Sequence, residues 1–159
     1  MKKKLNKNLT LFYDKYYPYN SKKTSRKKHR VTLGIGGNIG NSRHRFQKLF
    51  IYLKMGGVVD IVKTSPILKN PPFGYKNQRY FYNAIIVVKT DLNPISTLKF
   101  VLRVERFFKR ERHFENSPRT LDIDIILFDN ITIDTKKLTI PHLDYQNRES
   151  VLIPLAHLT

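Results

Sequence analysis

Apolar positions recur along this chain in two rhythms, and the switches between them predict its elements. Val31 to Ile35 is a short β-type run. It gives way to Phe46, Leu49, Phe50 and Leu53, spaced i, i+3, i+4, i+7 as on one face of a helix. Gly56-Gly57 stops that helix. Val58 to Thr64 and Phe81 to Thr90 are rich in β-branched and aromatic residues and read as strands, while Asn70-Pro71-Pro72-Phe73-Gly74 between them reads as a loop. Asn93-Pro94 supplies a cap and a first helical residue. Ile95, Leu98, Val101, Leu102 and Phe108 then mark a second helix. Residues 109–120 are polar and irregular, Leu121 to Phe128 is a strand, 131–140 a short hairpin, and Asn147 to Leu155 a last short helix. The order β-α-β-β-α-β, with an added hairpin and a short C-terminal helix, predicts an α+β fold: a ferredoxin-like sandwich with both main helices on one face of the sheet.

Charge changes this picture at one end. Lys and Arg number 30 against 12 Asp and Glu, a net charge of +18. Residues 1–30 hold eleven of the cations against the single acid Asp14. Such a density of like charge disfavours a packed core, so 1–30 reads as a basic N-terminal tail and 31–159 as the folded domain. The middle of the tail, Leu11-Phe12-Tyr13 and Tyr16-Tyr17-Pro18-Tyr19, is aromatic. Two readings stand: a segment docked on its own domain, or an adhesive anion-binding arm. The chain has no cysteine, which excludes disulfides, thiolate metal sites and a cysteine nucleophile. It has neither an apolar run of the roughly 20 residues a membrane span needs nor a signal-peptide core after its basic start. A soluble, cytoplasmic protein with an anionic partner and no membrane association is expected.

The strongest chemical signal is Pro118-Arg119-Thr120-Leu121-Asp122-Ile123-Asp124-Ile125. Alternation along a strand puts Asp122 and Asp124 on one face, their Cα atoms roughly 6.6 Å apart, and Leu121, Ile123 and Ile125 on the other. Carboxylates that close repel unless a cation lies between them, and hard oxygen ligands at this spacing suit magnesium with a phosphate completing its shell. A solvated edge strand, or pairing with arginines, is the plain alternative. Arg110, Arg112 and Arg119 flank the acids, and guanidinium forks match phosphate oxygens. Together these features describe a polyphosphate site.

Other candidates are weaker. Glu105 is the polar member of a helical stripe formed with positions 98, 101, 102 and 108; it is either a structural ion-pair partner or a residue facing the same pocket. Phe81 and Asn83 share a strand face, where an amide can bond the edge of a flat heterocycle while a ring covers its face. His142 can contact a phosphate or move a proton. The run Gly34-Ile35-Gly36-Gly37-Asn38-Ile39-Gly40 matches neither a dinucleotide fingerprint, which would need glycine at 39, nor a P-loop. Its glycines are expected to let the chain turn tightly beside a ligand or a neighbouring strand.

In combination, Gly36-Gly37-Asn38, Pro71-Pro72-Phe73-Gly74, Tyr82-Asn83-Ala84, Pro118 through Ile125, and Pro141-His142 through Arg148 resemble the 6-hydroxymethyl-7,8-dihydropterin pyrophosphokinases over residues 31–158. The resemblance implies transfer of diphosphate from ATP to the hydroxymethyl group of the pterin, with release of AMP, in folate biosynthesis. It implies that Asp122 and Asp124 hold two magnesium ions, and that Arg110 and Arg112 join them as catalytic residues. Glu105, Arg110, Arg119, Ile125, His142 and Arg148 would contact ATP. Gly36, Pro71, Pro72, Phe73, Phe81 and Asn83 would line the pterin pocket. The chain departs from the family where a second stacking aromatic aligns with Ser150. The rival reading is an RNA-binding module, to which the sheet, the aromatics at 80–82 and the charge are suited; in the enzyme reading, nucleic acid would be met only through the basic tail.

Overall fold

The computed structural model describes residues 1–108 and 118–159. Three short strands, β1 (Lys2–Lys4), β2 (Thr10–Phe12) and β3 (Tyr19–Asn20), precede β4 (His29–Gly37). Helix α1 (Ser42–Gly56) leads to β5 (Val59–Thr64), β6 (Ile67–Asn70) and β7 (Phe81–Thr90). Helix α2 (Pro94–Phe107) is followed by β8 (Asp122–Phe128), the hairpin strands β9 (Ile133–Asp134) and β10 (Thr139–Ile140), a single 3-10 turn at Tyr145–Asn147, and helix α3 (Glu149–Ala156). The main sheet is antiparallel and runs β1-β2-β6-β7-β4-β8, with β5 also pairing β7 and β3 pairing β5. Among the described residues this is a mixed α/β architecture with three α-helices.

Local sequence explains where the helices begin and end. The Asn41 side chain accepts a hydrogen bond from the His44 amide at the start of α1, and Gly57, with φ of 76°, ends that helix in the left-handed conformation. Asn93 caps α2 through the Ser96 amide, with Pro94 at the first helical position. Phe46, Leu49, Phe50 and Leu53 are all buried, as their spacing predicts. Each such side chain contributes about 1.5–3 kcal/mol on burial. They pack with Leu33, Ile35, Ile86, Val88, Ile123 and Ile125 in the main core, to which α2 adds Phe100, Val101 and Val104.

The α2 stripe differs from the one expected. Its buried residues are Thr97, Phe100, Val101, Val104 and Glu105, whereas Leu102 is 39% exposed. Apolar residues at 95, 98 and 102 compete with those at 100, 101 and 104 for the same period, and packing against β8 selects the second set. Strand β6 was also unannounced, since two apolar residues ahead of Lys69-Asn70 carry almost no periodic signal. Gly34, Gly36 and Gly37 lie inside β4 rather than in a turn. The tight conformation falls instead at Gly40, with φ of 69°.

Residues 1–30 contribute directly to this architecture. Tyr17 is fully buried in the main core, and its hydroxyl donates to the Phe46 carbonyl at 2.8 Å. The Tyr16 ring stacks on Phe50 with centroids 4.3 Å apart. Asp14 accepts two hydrogen bonds from Arg43, at 2.6 and 2.7 Å, and the Arg43 guanidinium lies 3.9 Å from the Phe12 ring centroid.

Candidate active site

The sheet face turned away from α1 and α2 carries a cleft, and its floor follows from strand register. Gly36 of β4 pairs with Asp122 of β8 on one side and Asn83 of β7 on the other. Gly34 likewise lies between Asp124 and Ile85. Two acids, two bare glycines and an amide are thus brought into adjacent rows. The glycines act by having no side chain: a Cβ on Gly36 would come within 2.6 Å of Asn83 Oδ1, and one on Gly34 within 3.2 Å of Ile126 Cδ1. Phe73, Phe81, Arg119, His142 and Arg148 complete the walls with Ser150 and Val151 of α3.

One end of the cleft is polar and charged. Arg119 Nη1 donates to Asp122 Oδ2 at 2.9 Å. His142 Nε2 lies 3.9 Å from Asp124 Oδ2. The Asp122 side chain is 12% exposed and that of Asp124 is 41%. Nδ1 of His142 and Nε of Arg148 are buried with no hydrogen-bond partner among the described residues. The other end is flatter and mixed. Asn83 Nδ2 donates to Asn70 Oδ1 at 2.7 Å. Guanidinium carbons lie 5.3 Å (Arg119) from the Phe81 ring centroid and 4.8 Å (Arg148) from that of Phe73.

Of the residues expected from the sequence, the cleft therefore brings together Gly36, Phe73, Phe81, Asn83, Arg119, Asp122, Asp124, His142 and Arg148. Pro71 and Pro72 sit in the loop between two lining residues, Asn70 and Phe73. The Ile125 side chain belongs to the core on the opposite face, and its backbone pairs with Leu33. Arg110 and Arg112 lie outside the described residues.

Sequence reasoning gave Asn38 no separate role, yet it fastens the cleft. Its side-chain oxygen accepts from the Arg119 amide at 2.9 Å, and its Nδ2 donates to Gln78 Oε1 and the Arg79 carbonyl. Arg45 joins the same region by donating to the carbonyls of Ile39 and Thr120. Asn70 was also missed. A buried amide gives no sequence signal until its partner is known. Gly37 faces the helix side at this point, where an added Cβ would stand 2.5 Å from the Thr120 carbonyl oxygen. Gly37→Ala is expected to cost about 3 kcal/mol through this backbone overlap. By calorimetry its Tm should fall by roughly 6–12 °C; an unchanged Tm would contradict the close approach.

Glu105 lies at the edge of the site. It is 4% exposed, and its Oε2 accepts from the Ile123 amide at 2.6 Å. Its pKa is pushed up to about 8, chiefly by burial, with Asp122 and Asp124 adding repulsion and Asp122 sharing a hydrogen bond with it; the Ile123 amide opposes the shift. An acid whose folded pKa lies above its unfolded value near 4.5 keeps a proton that the unfolded chain releases. The contribution of Glu105 to stability therefore falls as pH rises from about 4.5 to about 8 and is flat above that window. Glu105→Gln should abolish this slope in urea titrations at a series of pH values.

Asp122 and Asp124 are the cleft's carboxylate lining, and among the described residues no group of three or more His, Asp or Glu is placed to enclose a metal ion. Two hard oxygen donors leave most of a coordination shell to water and ligand oxygens, the pattern that suits a cation shared with phosphates. An acidic pair facing basic side chains at one end, with an amide and a ring at the other, is chemistry suited to a phosphorylated ligand beside a flat polar one.

Comparison with known proteins agrees with this class. The family model for 7,8-dihydro-6-hydroxymethylpterin-pyrophosphokinase matches residues 32–159, and the chain belongs to that family. It is 40% identical over 144 residues to the 2-amino-4-hydroxy-6-hydroxymethyldihydropteridine pyrophosphokinase of Helicobacter pylori, covering 89% of this chain and 88% of the relative. The protein of the same name from Campylobacter jejuni is 36% identical over 141 residues, 89% of this chain and 90% of the relative. That from Bacillus subtilis is 34% identical over 126 residues, 79% and 75%.

Proposed function

We propose that this enzyme transfers the terminal diphosphate of ATP to the hydroxymethyl oxygen of 6-hydroxymethyl-7,8-dihydropterin and releases AMP. The observation that carries the reading is the cross-strand row in which Gly36 separates Asp122 from Asn83. It sets a phosphate-handling edge and a heterocycle-reading edge side by side in one cleft. The strand order β8-β4-β7-β5 supports a ferredoxin-like arrangement of the central strands. We take 31–159 as the pyrophosphokinase domain and 1–30 as a basic N-terminal segment of distinct composition.

In the reaction, the pterin hydroxymethyl oxygen forms a bond to the β-phosphorus. The bond from that phosphorus to the α,β-bridging oxygen breaks, AMP departs with the bridging oxygen, and the hydroxyl proton passes to solvent or phosphate. Asn83 and Asn70 read the edge of the pterin, while Phe81 and Phe73 cover its apolar surface. Arg119, His142 and Arg148 face the triphosphate, with Arg110 and Arg112 assigned to the same task by the resemblance. Ile125 and Glu105 are assigned to the nucleotide side on the same ground. Asp122 and Asp124 would hold magnesium, two ions in this reading, which neutralises phosphate charge as it develops. The alcohol is a weak nucleophile, so most of the rate must come from positioning and charge compensation, which the cleft's paired strands supply with little reorganisation.

The test is separation of nucleotides after incubation with ATP, magnesium and the pterin. AMP formed only when the pterin is present is the expected result. ADP in its place would refute diphosphate transfer.

A further inference from the structure

We infer that the N-terminal segment is part of the frame of the heterocycle end of the cleft, and that Leu11 is a positioning residue for Asn83 and α3. The inference rests on the proposed function and extends it to residues that lie ahead of the family match.

The cleft floor does not stop at Asn83. Asn83 pairs with Leu68 of β6, and Leu68 pairs with Leu11 of β2. One row therefore runs Leu11, Leu68, Asn83, Gly36, Asp122 across five adjacent strands. Side chains paired across antiparallel strands project to the same face. Leu11 thus stands two strand spacings from Asn83, about 10 Å.

Leu11 and Leu68 are fully buried on that face, with Leu9 at 5% exposure, and Ile153 of α3 packs against them. This cluster is separate from the main core. It supports two walls at once. Strand β6 delivers Asn70, which bonds Asn83. Helix α3 delivers Ser150 and Val151 to the cleft one turn before Ile153. Tyr80 Oη also donates to Asn8 Oδ1 at 3.3 Å, fastening the residue before Phe81 to the same segment. Most of the phosphate end is held otherwise: Arg119 through Asn38, and Asp122 and Asp124 by pairing of β8 with β4, with Arg148 alone standing at the start of α3.

This asymmetry gives a selective prediction. Leu11→Ala should raise the KM for the pterin about 10-fold while leaving kcat and the KM for ATP within about twofold. Leu11→Met, which refills the volume, should restore it. Val101→Ala, in the main core on α2, is the control for general destabilisation: at a comparable loss of Tm it should leave the pterin KM unchanged. Leu9→Ala, at the rim of the cluster, replaces Leu11→Ala if that variant cannot be purified folded. A second readout needs no reaction: amide exchange of residues 81–83 and 149–153 in the unliganded protein should quicken in Leu11→Ala and not in Val101→Ala. Equal pterin KM and equal exchange in the two variants would overturn the inference. Failure of the wild type to release AMP would refute the reaction, and the exchange comparison would still decide the role of Leu11.

Discussion

Replacing Asp122 with asparagine is expected to lower pterin-dependent AMP release by about 1,000-fold or more, since the site loses one of the two carboxylates assigned to the cation. The fold should survive. Asparagine retains an oxygen that can accept from Arg119, which now donates to Asp122 at 2.9 Å. It also removes the charge that, after burial, helps push Glu105 up to about 8. Tm should therefore be equal to or above that of the wild type while activity collapses. That pairing separates a ligand residue from a structural one. Asp122→Asn with activity within tenfold of wild type would remove the acid from the proposed machinery.

The second large effect is expected from Arg119→Ala, at roughly 100-fold or more in kcat/KM for ATP at saturating pterin, the scale of a lost charge-assisted contact to phosphate. The geometry predicts that the loss is local. Arg119 is anchored by its backbone, its amide donating to Asn38 and its carbonyl accepting from the amides of Asn38 and Ile39. Truncation leaves these bonds in place. Arg119→Lys should recover only part of the activity, because an ammonium supplies the charge without the planar fork or the stacking on Phe81. Steady-state kinetics with both variants, alongside their Tm, checks the point. A fall in Tm that accounts for the lost activity would assign Arg119 to structure instead.

What the sequence revealed, and what it hid, follows from how each feature makes its signal. Helix α1 was legible because its four core residues and its glycine stop agree. The faces of β8 were legible as far as Ile125 because acids and aliphatics alternate up to that point, and Leu121, Ile123 and Ile125 are indeed buried opposite the two aspartates. The glycines of β4 were expected beside a neighbouring strand, and so they are, but inside a strand and not in a tight turn: bare backbone at 34 and 36 matters once register places acids and an amide on either side. Strands β1 to β3 were hidden for a similar reason. Lys2–Lys4 is a strand with every residue exposed, carrying no apolar alternation. Its place in the sheet comes from the partner edge of β2. Buried amides such as Asn38 and Asn70 are hidden because their value lies in bonds to residues far along the chain.

Strand β8 has a property that bears on how this protein can change over generations. Leu33 pairs with Ile125 and Thr32 with Leu127, so Ile126 is an extra residue, a bulge between two otherwise regular stretches. Ahead of it, Ile125 points to the helix-side core; beyond it, Phe128 returns to that same core. Substitution at the half-buried Leu127 changes one side chain, and the sheet can absorb it. A change of length between Asp124 and Phe128 is another matter, and its sign decides the outcome. Loss of one residue would erase the bulge and leave Phe128 opposite Val31, still facing the core; gain of one would slide the strand and carry either Phe128 outward or the two acids into the apolar layer. Drift in this strand should therefore proceed by replacement or by loss of the extra residue, and not by insertion.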